Sequence, residues 1–183
     1  MAGHNKWSKI KHKKAVTDAA KSKIFSKHAA LIAMESRKAG GDVNSPGLAA
    51  AIERAKKDSM PKDNIERAVA KGKGGEGGSL EEVMYEGYGP GGVAVLVQVV
   101  TDNTNRTAAE VRHTFSKSGL DMGTPGSASW AFTKNAENQF VPNTPMELDD
   151  ATGEKLAEFI EKLEDLDDVT DVFTAADTLE EQV

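Results

Sequence analysis

Apolar residues in the first seventy positions recur at spacings of three and four, the period of an amphipathic helix. A first helix is predicted over Ala15 to Ala39, where Gly40-Gly41 ends it. Ser45 as cap and Pro46 as first helical residue start a second helix, and a third runs from Pro61 to Gly72. The three apolar stripes are Val16, Ala20, Ile24, His28, Leu31 and Ile32; Leu48, Ala51, Ile52 and Ala55; and Ile65, Ala68 and Val69. The pattern predicts a small three-helix bundle with an alanine-rich core.

Beyond residue 78 the apolar pattern changes to that of strands. Strands are predicted at Glu82 to Tyr88, Val93 to Val100, Ser127 to Phe132, Phe140 to Leu148 and Val169 to Thr174. One helix, capped within Asn103 to Asn105, runs to Ser118, and another is capped by Asp149 or Asp150. Because Val93 to Val100 is apolar on both faces, it is predicted to be a central strand. The last six elements match a ferredoxin-like split βαβ pattern.

The predicted fold class is therefore α+β, with an N-terminal three-helix domain followed by a ferredoxin-like α/β sandwich domain. The boundaries predicted are 1–73 for the helical domain, 74–78 for a glycine-rich linker, 79–174 for the ferredoxin-like domain and 175–183 for an acidic tail. The stretch KGKGGEGG at Lys71 to Gly78 superficially resembles a phosphate-binding loop. No Gly-Lys in it is followed by Ser or Thr, so a linker is favoured over a nucleotide site.

Composition limits the function classes. The chain has 183 residues, 38% hydrophobic and 28% charged, and no cysteine, which excludes disulfides, thiolate metal sites and cysteine nucleophiles. No apolar run approaches a membrane span, and no apolar segment follows the basic start as in a signal peptide. We expect a cytoplasmic protein with no membrane partner, and a monomer by default.

Charge is divided unevenly along the chain. Residues 1–73 carry 17 Lys and Arg against 7 Asp and Glu, whereas residues 74–183 carry 6 against 22. The first 27 residues alone hold eight lysines and one acid. Such asymmetry indicates an anionic partner for the basic half, a nucleic acid above all.

The lysines of the N-terminal stretch surround aromatic rings able to stack on a base. Lysines provide affinity for phosphates without reading sequence, and the alternative for this stretch is a merely solvated basic arm. The predicted nucleic-acid-binding residues are Lys6, Trp7, Lys9, Lys11, His12, Lys13, Lys14, Lys21, Lys23 and Lys27.

A second candidate contact surface lies around the fourth predicted helix, which carries the only arginines of the second half. Its residues are Asn103, Asn105, Arg106, Arg112 and His113. An equally good interpretation is structural, with the asparagines capping the helix and Arg106 pairing with Glu110.

Enzymatic chemistry is not predicted. None of the four histidines combines with carboxylates at a metal-ligand spacing, and no HExxH or GxSxG motif occurs. His28 is predicted to be a packed core histidine. The carboxylates from Glu147 to Glu181 do not follow the order of a calcium loop, so a solvated acidic face is expected. No metal, cofactor or catalytic residue is therefore assigned.

Three long motifs in order resemble the YebC/PmpR family, which includes the mitochondrial translational activator of cytochrome c oxidase. They are MAGHNKWSKIKHKKA at the start, YEGYGPGG at Tyr85 to Gly92 and TDNTNRTAAEVRHTFSKSG at Thr101 to Gly119. The stretches FVPNTPMELDD and KLAEFIEKLEDLDDVTDVF also look like the carboxy terminus of that family.

The resemblance implies a cytoplasmic, non-enzymatic DNA-binding transcriptional regulator. It also implies an alternative, a ribosome- or RNA-associated translation factor that eases synthesis of difficult stretches such as consecutive prolines. Family members typically insert a third domain into the second. Here only Thr133 to Gln139 separate Phe132 from Phe140, so the third domain is expected to be missing.

Overall fold

The computed structural model describes residues 18–75, 80–136 and 139–177. They fold into two compact units. We call the described residues of Val16–Val83 and Val99–Thr104 the helical unit, and those of Met84–Gln98 and Asn105–Val183 the sheet unit. The predicted domain boundary at the glycine-rich segment, most of which lies outside the described residues, stays a prediction.

Three helices make up most of the helical unit: α1 (Asp18–Lys38), α2 (Pro46–Lys57) and α3 (Lys62–Lys73). As predicted, α1 ends at the glycine pair. Gly41 has a φ of 85°, which glycine tolerates best, and its N–H donates to the Ser36 carbonyl over 2.8 Å. Ser45 and Pro46 start α2 as predicted, although the Ser45 side chain makes no capping bond. The core shared by the helices is Ile32, Leu48, Ala51, Ala55, Met60, Ile65 and Ala68.

Small residues let α1 and α3 approach closely. The Ser36 hydroxyl donates to the Val69 carbonyl over 2.7 Å, and a Cβ on Gly72 would lie only 2.2 Å from the Ala33 carbonyl oxygen. Glycine is therefore required at this position by space rather than by backbone conformation. The helices can pack this closely because the core is rich in alanine, as the sequence predicted.

The remaining elements follow the predicted order. They are β1 (Glu81–Tyr88), β2 (Ala94–Thr101), α4 (Thr104–Lys117), β3 (Phe132–Lys134), β4 (Phe140–Pro142), α5 (Asp150–Glu164) and β5 (Val169–Thr174). The strand order β1-β2-β5 makes β2 central, as predicted, and every residue of β2 except Gln98 is buried. Phe115 of α4 and Phe159 of α5 meet edge to face, with ring centroids 4.9 Å apart. The α+β class is confirmed.

β3 and β4 pair with each other in a separate two-stranded antiparallel sheet. Both are shorter than predicted. A one-turn helix at Ser129–Ala131 precedes β3, and β4 ends at Pro142, because prolines at 142 and 145 cannot continue a hydrogen-bonded ladder. The hairpin is closed by hydrogen bonds between Asn135 and Gln139, including an Asn135 Oδ1 contact of 2.9 Å.

The first two residues of the predicted acidic tail belong to the packed part of the chain. Ala175 and Ala176 are buried, and the Ala175 N–H donates to the Ala94 carbonyl of β2 over 3.0 Å. Ala176 also forms a parallel bridge with Met146. The apolar pair thus extends the packed part of the chain, while residues 178–183 lie outside the described residues. Asp149, one of the two predicted caps, accepts the Thr152 N–H at 2.8 Å at the start of α5.

A buried carboxylate fastens the loop between α4 and β3. Glu86 is only 5% exposed, and its two oxygens accept the backbone N–H groups of Gly126, Ala128 and Ser129 at 2.6 to 2.7 Å. Burial alone would raise the pKa of Glu86, but these three hydrogen bonds outweigh it and hold the pKa below its ordinary value. Glu86 is therefore ionised, and its carboxylate ties the loop to β1 through these three hydrogen bonds.

The same loop positions an exposed indole. The Tyr88 hydroxyl donates to the Ser127 carbonyl over 2.6 Å, and Trp130 Nε1 donates to the same carbonyl over 2.9 Å. Trp130 is nevertheless 69% exposed. Its orientation is set by the loop, and hence by Glu86.

Candidate nucleic-acid interface

A groove of about 990 Å³ runs between α1 and α3 of the helical unit. Its lining recurs every three to four residues on both helices, so each helix contributes one stripe. From α1 come Lys21, Ser22, Phe25, Ser26, Ala29, Ala30 and Ala33; from α3 and the preceding turn come Met60, Asn64, Arg67, Ala68 and Lys71. Asp18, Leu80 and Asp102 complete it.

The floor of the groove exists because its side chains are small. The short side chains of Ala29, Ala33 and Ala68 leave the groove open beside the line along which α1 and α3 pack closely, and the half-buried Phe25 ring is the largest apolar group in it. The floor is therefore apolar with one aromatic ring, and polar side chains stand along both rims.

Three cations lie on the rims: Lys21 on α1, and Arg67 and Lys71 one turn apart on α3. All three are exposed. The orientation of the Arg67 side chain is fixed by neighbours on α3, since its guanidinium donates to the Asp63 carbonyl over 3.3 Å and to Asn64 Oδ1. Two carboxylates, Asp18 and Asp102, also line the groove. The cations thus outnumber the anions only slightly, and the α3 rim is the more positive one.

Several other lysines of the helical unit are ion-paired, whereas two of the groove cations are not within the part of the chain that the structure describes. Lys38 bonds to Glu35 at 2.9 Å, Lys56 to Glu53 at 2.7 Å, and Lys62 lies 3.6 Å from Glu66. Over residues 18–75, 80–136 and 139–177, by contrast, neither Lys21 nor Lys71 has an acidic side chain within ion-pair distance. Their charge is left available to a solute.

The residues predicted to bind nucleic acid are only partly placed. Lys6, Trp7, Lys9, Lys11, His12, Lys13 and Lys14 lie outside the described residues. Lys21 stands on the groove, whereas Lys23 and Lys27 do not line it and are half-buried. Sequence reasoning did not single out Phe25, Asn64, Arg67 and Lys71. Arg67 and Lys71 could have been found from their spacing, because basic residues at i and i+4 lie on the same face of a helix.

The second candidate surface is structural in part. Asn105, Arg106, Arg112 and His113 are all exposed on α4, and Asn103 lies directly before this helix. The structural alternative paired Arg106 with Glu110, and the described residues show another partner for this arginine. Arg106 donates instead to Asp168 Oδ2 over 2.8 Å, and the buried Thr107 hydroxyl donates to the same oxygen over 2.7 Å. Asp168 lies just before β5, so this contact ties α4 to that strand.

His28 is a core histidine, as predicted. It is 8% exposed, and its Nε2 lies 2.6 Å from Asp58 Oδ2. The partner was not foreseen because it lies thirty residues away, at the end of α2. The pair joins α1 to the turn before α3 and is a structural contact.

Family sequence profiles cover nearly the whole chain. Residues 5–75 match the TACO1/YebC protein N-terminal domain, and residues 80–137 and 133–176 match the TACO1/YebC second and third domain. The chain belongs to the TACO1/YebC family. Its resemblance to YebC-like proteins, first noted from three motifs, is thereby confirmed.

Relatives and one solved structure agree with the family. Proteins from Francisella tularensis subsp. tularensis (strain WY96-3418) and subsp. novicida (strain U112), both called "Probable transcriptional regulatory protein", are each 41% identical over 244 residues, covering 100% of this chain and 98% of theirs. The crystal structure of a conserved hypothetical protein, Aq1575 from Aquifex aeolicus, superposes with a TM-score of 0.76 at 32% identity. It covers 94% of this chain and 99% of that one.

The chain lacks an internal segment of its TACO1/YebC relatives. The alignment with the Francisella proteins spans 244 positions although this chain has 183 residues, and the second family profile matches in two segments that meet at 133–137. Residues 133 and 134 of that overlap lie in β3, which pairs with β4. The difference in length agrees with the expected loss of the third domain. That this domain would enter at the β3–β4 hairpin stays a prediction.

Among the described residues, no helix has the length and apolar character needed to cross a membrane.

Proposed function

We propose that this TACO1/YebC protein regulates gene expression by binding nucleic acid through its basic N-terminal region, as a DNA-binding transcriptional regulator of the cytoplasm and not as an enzyme. The observation that carries the proposal concerns two lysines on the rims of the groove, Lys21 and Lys71. Neither has an acidic partner among the described residues. Both lie in residues 1–73, which carry 17 basic and 7 acidic residues. The relatives named as probable transcriptional regulatory proteins support the regulatory part.

Binding of this kind is driven by phosphates. Each lysine or arginine that neutralises a phosphate releases condensed counterions, so the logarithm of affinity falls linearly with the logarithm of salt concentration, by about 0.9 per contacted phosphate on duplex DNA. The second half of the chain, with 6 basic and 22 acidic residues, is expected to add little to such attraction. We therefore expect the affinity to reside in Lys6 to Lys14 together with Lys21, Arg67 and Lys71.

Fluorescence anisotropy with a labelled duplex at several salt concentrations tests the mechanism. Changing Lys71→Gln is expected to weaken binding and to lower the salt slope by about one contact. Lys56→Gln is the matched control, because Lys56 is already paired with Glu53 at 2.7 Å. A salt-independent affinity, or equal effects of the two variants, would contradict the mechanism.

The alternative is a translation factor bound to ribosomal RNA. Its support is the match to a family profile named for TACO1 as well as YebC. Density-gradient fractionation of cells separates the two functions. Co-migration with ribosomes that survives DNase treatment and is lost with RNase would replace the transcriptional proposal by the translational one. Full activity of a Lys11/Lys13/Lys14 triple alanine variant would instead favour a protein-interaction module.

A further inference from the structure

We propose that the groove between α1 and α3 binds an unpaired nucleotide, with its base on the Phe25 ring and its phosphate on the α3 rim. This inference rests on the proposed function and names the form of nucleic acid that this site takes. It predicts a preference for single strands over duplexes.

The floor of the groove is suited to a base. Phe25, Met60 and the alanines present an apolar surface, which would desolvate a phosphate at a large cost but accept the face of a base. An aromatic ring beside such a floor is the usual platform on which proteins stack single-stranded bases, and stacking tolerates any base. A paired base in a duplex keeps its faces against its neighbours and is not available to the ring.

The shape of the site also excludes a duplex. Proteins that read duplex DNA insert a projecting helix or strand into a groove of the nucleic acid. Here the apolar surface and the ring lie in a recess between two helices, so a duplex would touch only the rims. A single strand, by contrast, can turn one base inward and keep its backbone outside. The volume of about 990 Å³ is large enough for at least one nucleotide.

Charge places the phosphate on one rim. Arg67 and Lys71 lie one turn apart on α3, and Lys71 has no acidic partner within the described residues. Asp18 and Asp102 disfavour a phosphate next to them, so a strand that passes over the groove is expected to follow α3.

Asn64 supplies a polar contact beside the base. Its Oδ1 accepts the Arg67 guanidinium, while its amide NH₂ donates to no other group of the described chain. That NH₂ belongs to the groove lining and is available to an acceptor on a base edge. The site therefore combines stacking, a phosphate contact and one hydrogen-bond donor.

The experiment compares labelled dT12 and rU12 with a duplex of twelve base pairs, under the same salt conditions. We expect the full chain to bind the single strands more tightly. Phe25→Leu keeps an apolar side chain in the core and should weaken single-strand binding by roughly five-fold or more, without changing the salt slope. Lys71→Gln should lower the slope on single strands by about 0.7, and Lys56→Gln is again the control.

Ultraviolet crosslinking gives a readout that does not depend on a variant folding. Irradiation of the complex with dT12 is expected to attach the oligonucleotide to the tryptic peptide of residues 24–27, which contains Phe25. Equal binding of duplex and single strand with crosslinks only elsewhere would overturn the groove proposal and leave the proposed function standing. Failure of all three probes to bind at low salt would overturn both.

Discussion

Replacing Glu86 by glutamine tests whether a buried charge holds the loop between α4 and β3. The carboxylate accepts three backbone N–H groups at 2.6 to 2.7 Å while only 5% exposed. Glutamine has nearly the same shape but one acceptor oxygen, and its NH₂ must point at one or two of those donors. Loss of charge-assisted bonds, together with a buried N–H left unpaired, should cost about 3–6 kcal/mol. That is a large share of the roughly 5–15 kcal/mol by which domains are stable.

The assay is urea unfolding followed by tryptophan fluorescence. The chain has two tryptophans, so Trp7→Phe leaves Trp130 as the single reporter. Because Trp130 Nε1 bonds to the Ser127 carbonyl and the Tyr88 hydroxyl, release of the loop changes its emission. Glu81→Gln, an exposed glutamate of the same strand, is the matched control and should change stability by less than about 0.5 kcal/mol.

The dependence of stability on pH tests the role of Glu86 independently. The pKa of Glu86 is lowered in the folded protein, so the unfolded chain binds the proton more readily and stability falls as the medium is acidified. The contribution of Glu86 is complete above its ordinary pKa of 4.5 and is lost as pH falls through the lowered value. The stability difference between the native chain and Glu86→Gln should therefore shrink below that pH. If the stability difference did not depend on pH, or if Glu86→Gln lost less than about 1 kcal/mol of stability at neutral pH, the conclusion that an ionised Glu86 holds the loop would be refuted.

Three further substitutions test the packing. Gly72→Ala should destabilise the helical unit by about 1–3 kcal/mol in thermal unfolding despite the better helix propensity of alanine, since the new Cβ would lie 2.2 Å from the Ala33 carbonyl oxygen; an unchanged melting temperature would show that the helices can separate freely. Asp149→Ala should lower the melting temperature more at neutral pH than in strong acid, because the capping bond that lowers the pKa of Asp149 is weaker once the carboxyl is protonated. Asp168→Ala should cost about 1–3 kcal/mol by removing the hydrogen bond of 2.7 Å between the buried Thr107 hydroxyl and Asp168 Oδ2, and a double-mutant cycle with Thr107→Val measures this contact; strict additivity would contradict it.

Local signals in the sequence were sufficient for most of the helices and for the central strand. Gly40-Gly41 ends α1 and Pro46 begins α2 because these residues act through their own backbones. The stripe of α1 was less well predicted. Apolar residues lie on several sides of this helix, so the pattern did not show that Phe25 and Ala29 face α3 rather than solvent. Which side of α1 faces α3 is decided only by how the other helices pack against it.

The interactions that sequence reasoning missed join distant residues. Glu86 on an alternating strand looks exposed, and the three N–H donors that bury it lie forty or more residues away. His28 and Arg106 likewise find their carboxylates thirty and sixty-two residues along the chain. The groove could not be predicted either, because an absence of large side chains between two helices becomes a site only once their separation is known.

The β3–β4 hairpin makes chain length adjustable at a single point. Its last paired residues, Lys134 and Phe140, face each other in register, which places their Cα atoms about 5 Å apart. A module whose own termini are that close can be gained or lost there as one cassette, since neither strand has to change its pairing. Evolution can thus vary this region without rebuilding the sheet, and an engineer can graft a fluorescent or affinity module onto the same turn.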